Sequence, residues 1–493
     1  MLELSLQTTF SAFTLTIISL SVHSQQSVQV IDSITQEPIP FATVLFGPHQ
    51  GTITNDEGVF LFETSKFRDS LRITSIGYTG RTWTQSPTDT ILYLSPKTFE
   101  LDQVILGVED LEAEEIIDRC RDGLETQYQF TNLKQKTFYR ATYQQQIKRL
   151  ETKFKKSTIE EITEKRIDSV LGTLPRQSVY FSETLADVWT SDPKNHKMNI
   201  VKALKVQDKT QEASFASIEK MFQQLINRNV KPDSYFKIKS GIIGTKIPVD
   251  SIMEAQQQRE NYQKKLEATE FFNYRKKAIV NLLHHPVYHS KTEIDVVEHP
   301  GRYVFTKNGI NEVDGELVYV LDYKPEKGKG FKGTLYVHTE DFAIVRIDFK
   351  STGGVYDKHF NMFGVRYNTL RYSGTHLFGK TNGKYTLRYM TESQTEETQI
   401  DRPLKIIEKN KHVRGRRKQN EVSFDIDFVL RDGMRKELVI VDTQSHSEGD
   451  YEAISENTQV QMNYLPAYDP NFWTGYTVLP PTTMIQELRL ERE

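Results

Sequence analysis

The chain has 493 residues, a net charge of −3, and 37% hydrophobic, 26% charged and 11% aromatic residues. That length exceeds one ordinary domain, the aromatic content excludes a disordered chain, and the near-neutral balance offers no broad field for nucleic acid or anionic lipid. With 23 Tyr and 27 Phe against 3 Trp, the composition favours pleated sheet, on which flat aromatic rings pack well.

Residues 10–22 are apolar or small and uncharged, and Val22 and Ser24 stand three and one positions before Gln25. This predicts a secretory signal over residues 1–24, although the preceding stretch carries Glu3 and no Lys or Arg. The apolar run is too short to span a bilayer, and no later stretch is long and apolar enough to try. The mature chain is therefore expected to be soluble or peripheral, without a transmembrane span. Cys120 is the only cysteine, which excludes an intramolecular disulfide and leaves no lipid acceptor near the cleavage site.

Short strands with Gly/Pro turns occupy residues 26–97: around Val28 and Val30, 42–46, 59–62, 71–76 and 91–94. Pro38, Pro40, Gly47, Pro48, Asn55, Gly58 and Gly77 punctuate them, a pattern that predicts a β-sandwich. The opening from Asp32 to Val44, the stretch from Gly51 to Phe60 and the quartet Ser75, Ile76, Gly77, Tyr78 together resemble the carboxypeptidase-like regulatory domain. Val28 stands where that family often has Gly. The resemblance implies a seven-stranded prealbumin-like sandwich, common at the start of Gram-negative envelope proteins, and no peptidase activity. The residues agree, since none of the twelve His begins H-x-x-E or H-E-x-x-H.

Residues 109–124 show a helical stripe, Ile116, Cys120, Leu124, with Glu112, Glu114 and Glu115 at its acidic start. Cys120 reads as a buried small hydrophobe. Without a Gly/Ser/Pro spacer, this helix is expected to dock on the C-terminal β domain. Strand alternation then dominates, at Ala343, Val345, Ile347, Phe349, at Tyr385, Leu387, Tyr389, and at Phe424, Ile426, Phe428, Leu430. Helices interrupt it twice: Phe215, Ile218, Phe222 and Leu225 make an amphipathic stripe ending near Pro232, and Ser251 with Glu254 matches a capping box after Pro248, leading toward Leu283. Residues 333–348 resemble one hairpin of lipoprotein-carrier half-barrels, which implies helices packed in a concave sheet with a groove between them.

Four motifs look chemical. Gly374, Gly379, Lys380 and Thr381 spell a phosphate-binding loop, but the Asn382-Gly383 turn and a strand come next instead of the required helix, so no nucleotide is expected. Gly328, Gly330 and Gly333 spell G-x-G-x-x-G between two strands, a hairpin rather than a dinucleotide turn. His284, His285 and His289, with Glu298 and His299 beyond, could meet a metal, yet Pro286 breaks a helical face and a polar loop is preferred. Lys409, Lys411, Arg414, Arg416, Arg417 and Lys418 concentrate positive charge on what reads as a solvated hairpin loop, with no aromatic interleaved to stack bases.

The pattern divides the chain into a signal (1–24), a sandwich (25–97), a linker helix (98–130), a large antiparallel β domain (131–465) with helices near 210–230 and 251–283, and a tail (466–493). Trp473 and Tyr476 in that tail read either as a glycan-stacking platform or as a pin holding it to the domain. The expected class is mainly β, and the expected role is non-catalytic binding or assembly in the envelope. It would act in the periplasm, at the outer-membrane periphery or outside the cell. A protein, lipid or glycan partner, an apolar or glycan ligand in a groove, and no cofactor, metal, nucleotide or nucleic acid complete that expectation. The rivals are a hydrolase using strand carboxylates such as Asp425 and Asp427, which share one face, and a structural spacer. Protein secreted by the native host should begin near Gln25; an intact mass retaining Met1 would refute the signal.

Overall fold

The computed structural model describes residues 25–47, 50–63, 70–84, 90–97, 108–206, 220–221, 223–231, 233–241, 243–248, 269–284, 294–313, 315–352, 360–362, 364–410, 412 and 417–486. Residues 1–24, read from the sequence as a signal, and Phe215, Ile218, Phe222, Ser251, Glu254, His285, His289, Lys411, Arg414 and Arg416 lie outside them.

Seven strands build the N-terminal sandwich: β1 (Gln25–Asp32), β2 (Thr43–Leu45), β3 (Gly51–Ile53), β4 (Val59–Glu63), β5 (Leu71–Thr74), β6 (Arg81–Trp83) and β7 (Ile91–Leu94). They form sheets of order β4-β1-β7 and β3-β2-β5-β6. Alternation turns Val28 and Val30 inward with Phe60, Phe62, Leu92 and Leu94, against Val44, Leu71 and Ile73 of the other sheet. Two separated motifs meet at Asp32, whose Oδ1 accepts from the amides of Ile34 and Thr35 and whose Oδ2 accepts from Tyr78 Oη at 3.0 Å. Burial opposes ionisation of Asp32, but these donors more than offset it and hold the carboxyl below its usual range. Gly58 closes the Asn55 turn at φ +69°, where a Cβ would lie 2.6 Å from the Val30 carbonyl oxygen.

The linker helix α1 (Ala113–Gln127) carries Glu114 and Glu115 in its first turn. It buries Ile116, Ile117 and Cys120 against the second half of the chain, and burial pushes the Cys120 thiol up. The large sheet then comprises β8 (Leu133–Ser157), β9 (Gln177–Asp192), β10 (Asn195–Val206), β11 (Ser234–Ser240), β12 (Ile243–Pro248), β13 (Tyr303–Val313), β14 (Glu316–Pro325), β15 (Gly330–His338), β16 (Ile344–Thr352), β17 (Phe360–Met362), β18 (Val365–Thr381), β19 (Lys384–Asn410), β20 (Lys418–Ser445) and β21 (Asn463–Leu465). Its main path is β13-β14-β15-β16-β18-β19-β20-β8-β9-β10-β21, not closed into a barrel and antiparallel except where β10 meets β21. Short helices α2 (Glu164–Gly172) and α3 (Glu448–Glu452) lie outside the sheet. Residues 223–229 and 269–284 are helical, in the neighbourhood of the two interruptions read from the sequence. No helix among the described residues is long and apolar enough to cross a membrane.

The centre of the sheet is covered on both faces. On β8, Tyr139 and Ala141 face α1 and helix 269–284, in a core with Phe272, Ile279 and Leu282. The alternate residue Phe138 faces the C-terminal tail, in a core with Trp473, Val478 and Leu479 that also takes Ile53 of the sandwich. Period-two alternation thus serves two cores at once. The sandwich does not hang free: Phe41 stacks on Tyr389 at 5.3 Å and the Gly77 amide donates to Asn311 Oδ1 at 3.1 Å.

The end of α1 is held at the β15–β16 turn. Gln127 donates to the Asp341 carbonyl, and Tyr128 Oη donates to the Ile344 carbonyl at 2.9 Å. Asp341 also receives His338 Nδ1 at 2.9 Å, Lys380 Nζ at 2.9 Å and Tyr385 Oη at 3.2 Å, while His338 Nε2 lies 2.7 Å from Glu316. Burial works against a charged His338, but Asp341 and Glu316 outweigh it and raise its pKa; burial likewise opposes the Asp341 charge, but His338 and Lys380 outweigh it and hold Asp341 below the carboxylate range. The imidazolium therefore stabilises the fold fully below the unfolded histidine value of about 6.5, and its contribution fades as pH rises through the raised folded value. Urea unfolding midpoints measured from pH 5 to 9 should show this decline, and His338→Gln should flatten it; an unchanged slope in the variant would refute the assignment.

Candidate functional site

The face of the sheet opposite the helices carries a charged cluster that the fold takes out of water. Arg140 on β8 is 1% exposed and Glu183 on neighbouring β9 is fully buried. Arg140 Nε donates to Glu183 Oε1 at 2.7 Å, Nη2 donates to the Leu479 carbonyl at 2.5 Å, and Nη1 donates to that of Pro480 at 3.2 Å. Glu437 on β20 lies 3.7 Å from Nη1. The Trp473 indole N–H donates to the second Glu183 oxygen at 2.5 Å. Burial by itself opposes the Arg140 charge, but Glu183 and Glu437 reverse this and keep the guanidinium above its usual range.

The tail that Arg140 grips is gripped from its other side by the sandwich. Asn55 Nδ2 donates to the Pro480 and Pro481 carbonyls at 3.3 and 3.4 Å, and the Glu57 carboxylate accepts from the Thr483 amide at 2.9 Å. Arg435 on β20 reaches Asp56 at 2.9 Å and Glu437 at 3.1 Å. Desolvation raises the Asp56 pKa; Arg435 pulls it back and Glu437 adds to the rise.

Beside this junction lies a cavity of about 220 Å³. Thr142 and Gln144 of β8, Ser393, Gln394 and Thr395 of β19, and Thr482 and Ile485 of the tail line it, with Asp56, Arg435 and Glu437 at its charged side. The Thr142 hydroxyl is buried without a hydrogen-bond partner among the described residues. Hydroxyls and amides of both donor and acceptor kind suit a polyhydroxyl ligand.

The residues singled out from sequence fall elsewhere, apart from those of the tail. Trp473 is 1% exposed and Lys202 sits 4.0 Å over the neighbouring Phe472 ring, so the aromatic cluster pins the tail rather than presenting a platform. Gly374, Gly379, Lys380 and Thr381 are extended in β18, and Asn382 (φ 52°) and Gly383 (φ 79°) turn the hairpin into β19. Gly328, Gly330 and Gly333 form the β14–β15 hairpin and the start of β15. His284 meets His196 through their Nε2 atoms, with ring centroids 4.5 Å apart. Glu298 and His299 precede the turn at Pro300–Arg302, and among the described residues no three His, Cys, Asp or Glu gather in a metal-binding group. Asp425 pairs with Lys155 at 2.5 Å and Asp427 with Arg149 at 2.7 Å on half-buried strand positions, each tied to a cation. Of the basic run, Lys409 and Lys418 lie on facing strand ends, where Lys418 pairs with Glu421, and the Arg417 carbonyl accepts from the Asn410 amide at 3.0 Å. Sequence reading passed over Arg140, Glu183 and Glu437. The available signal was a charge between Phe138 and Thr142 on a strand whose two faces are both apolar.

Residues 28–106 match the CarboxypepD_reg-like domain. No curated protein matches the chain. Among solved structures, a LolA-superfamily protein from Nitrosomonas europaea shares 10% identity at a TM-score of 0.16, covering 70% of this chain and 98% of its own. An outer membrane lipoprotein-sorting protein domain from Vibrio parahaemolyticus shares 10% at 0.18, covering 69% and 97%. The MucA/MucB complex from Pseudomonas aeruginosa gives 6% at 0.17, covering 68% and 100%. Likeness at these scores extends to no residue of the site.

Replacing Arg140 by Met leaves Glu183 buried without its cation, while Glu437 keeps Arg435, at an expected cost of about 3–5 kcal/mol. Denaturant unfolding should read that loss, accompanied by faster proteolysis of the tail; a loss below about 1 kcal/mol would show that the cluster is incidental.

Proposed function

We propose that this chain is a non-catalytic, exported binding or assembly protein of the cell envelope that holds a glycan in the junction cavity. The observation that carries the reading is the lining. Thr142, Gln144, Ser393, Gln394 and Thr395 bring uncharged donors and acceptors together, and Arg435, Asp56 and Glu437 close one side. Both carboxylates are tied to Arg435, which suits them to hold a sugar hydroxyl rather than to act as a free acid and base pair. At about 220 Å³ the cavity falls below the roughly 300–1,000 Å³ of drug-sized sites, as one sugar ring would require.

The family resemblance of the sandwich supports a binding role over catalysis. Because sandwich, sheet and tail all contribute to the lining, ligand occupancy would report on the assembled chain and not on one part. Isothermal titration of the full chain with glucose, galactose and N-acetylglucosamine is expected to give millimolar or tighter binding of at least one. Thr142→Val with Gln144→Ala should weaken it at least tenfold. Binding of none of the three, or equal binding by the double variant, would overturn the reading.

A further inference from the structure

The opposite face of the sheet holds a second buried arginine whose surroundings are unlike those of Arg140. Arg275 projects from helix 269–284 and is 2% exposed. Its Nη2 donates to Ser182 Oγ at 2.9 Å. Its Nε and Nη1, which carry three of the five N–H donors of a guanidinium, meet no acceptor. Beside it, among the described residues, the buried Tyr139 hydroxyl has no neighbour to bond with except Arg275 itself, and the hydroxyl of Thr184, the residue paired with Tyr139 across β8 and β9, lacks a partner. The Arg275 guanidinium carbon lies 4.7 Å from the centre of the Tyr139 ring and 5.6 Å from that of Phe271.

No acid answers this cation among the described residues. Burial pulls the guanidinium below its usual range, and what holds it up are tyrosines, Tyr139, Tyr143 and Tyr274. Aromatic faces compensate a desolvated cation far less completely than a carboxylate and hydrogen bonds do. Arg140, equally buried on the other face, has two acids and two carbonyls. The contrast locates an unmet demand for one negative charge. A single carboxylate fits it, whereas a doubly charged phosphate would exceed it.

Next to Arg275 in the helix, Tyr274 is 59% exposed, and its hydroxyl lies 3.1 Å from that of Tyr143. Tyr180 stacks on Tyr143 at 4.7 Å, and Lys205 Nζ stands 5.1 Å over Tyr180. Aromatic rings and a cation thus gather at the solvent edge beside the helix that carries Arg275.

We propose that Arg275 anchors a second ligand site, which takes the carboxylate of an apolar-chain acid. The carboxylate accepts from Nε or Nη1 and from the Tyr139 hydroxyl, and the chain lies along the Tyr143, Tyr180, Tyr274 and Phe271 rings. The site is on the other face of the sheet from the junction cavity, so its failure leaves the glycan reading untouched, and the reverse.

The test is isothermal titration of the full chain with dodecanoate, dodecanol and acetate, in wild type and in R275Q and R275K. Dodecanoate is expected to bind at least tenfold more tightly than either the neutral alcohol or acetate. R275Q should lose tenfold or more of that affinity with no fall in melting temperature, because it removes an unanswered charge, while R275K should retain part of it. Dodecanol binding as tightly as dodecanoate, acetate binding as tightly as dodecanoate, or undiminished binding by R275Q would each overturn the proposal. Should R275Q not fold, the wild-type preference for dodecanoate over dodecanol decides alone, tenfold supporting the site and equality refuting it.

Discussion

A guanidinium buried in the middle of a β-sheet must find its counter-charges and acceptors inside the protein, because water is no longer there to supply them. For Arg140 they come from three places far apart in the chain: Glu183 on the next strand, Glu437 on the strand to the other side, and the carbonyls of Leu479 and Pro480 in the tail. The tail cannot leave without stranding the cation, and Trp473 cannot leave without stranding an oxygen of Glu183. Such clusters add little net stability compared with a well-packed apolar core, but they penalise every arrangement in which one member is missing. In this chain that penalty specifies where the last part of the described chain must lie.

Once the tail is placed, it becomes the surface on which the sandwich sits. Asn55 and Glu57, in the turn that Gly58 closes, hold Pro480, Pro481 and Thr483, and Asp56 between them reaches Arg435 on the sheet. A surface turn of a small domain is thereby converted into a three-way joint. A sandwich of about 70 residues buries only about 60% of its unfolded surface by itself, and the contact of Ile53, Phe41 and Leu61 with the tail-side core adds to what it can bury. The junction cavity is the space left where sandwich, sheet and tail meet around charged groups.

The two faces of the sheet solve the same problem differently. On the tail side the polar demand is met from within, by Glu183, Glu437 and backbone carbonyls. On the helix side, α1 and helix 269–284 supply apolar cover through Ile116, Ile117, Phe272, Ile279 and Leu282, and Arg275 enters with Ser182 as its hydrogen-bond acceptor. A strand that is apolar on both faces tolerates a charge only where something specific receives it. One satisfied arginine on β8 and one open arginine on the helix that packs over β8 and β9 make the asymmetry that separates a structural cluster from a receptive one.

Local chemistry made much of this legible from sequence. The turn formers at Pro38, Asn55, Gly58 and Gly77 and the alternation at Val28, Val30 and Phe60, Phe62 determine the sandwich, because a period of two has a single buried solution when the turns are set. The stripe Ile116, Cys120 determines that α1 docks, and the Asn382-Gly383 turn determines that Lys380 lies in a hairpin and binds a neighbouring acid, Asp341, rather than leading into a helix. Tertiary structure alone decided which charges meet. Arg140, Glu183, Glu437 and Trp473 are separated by dozens to hundreds of positions, and nothing in their local pattern distinguishes an arginine that will be answered from one, like Arg275, that will not. Spacing along the chain encodes which face a side chain takes; what stands opposite that face depends on segments whose proximity exists only after the sheet, the tail and the sandwich have closed on one another.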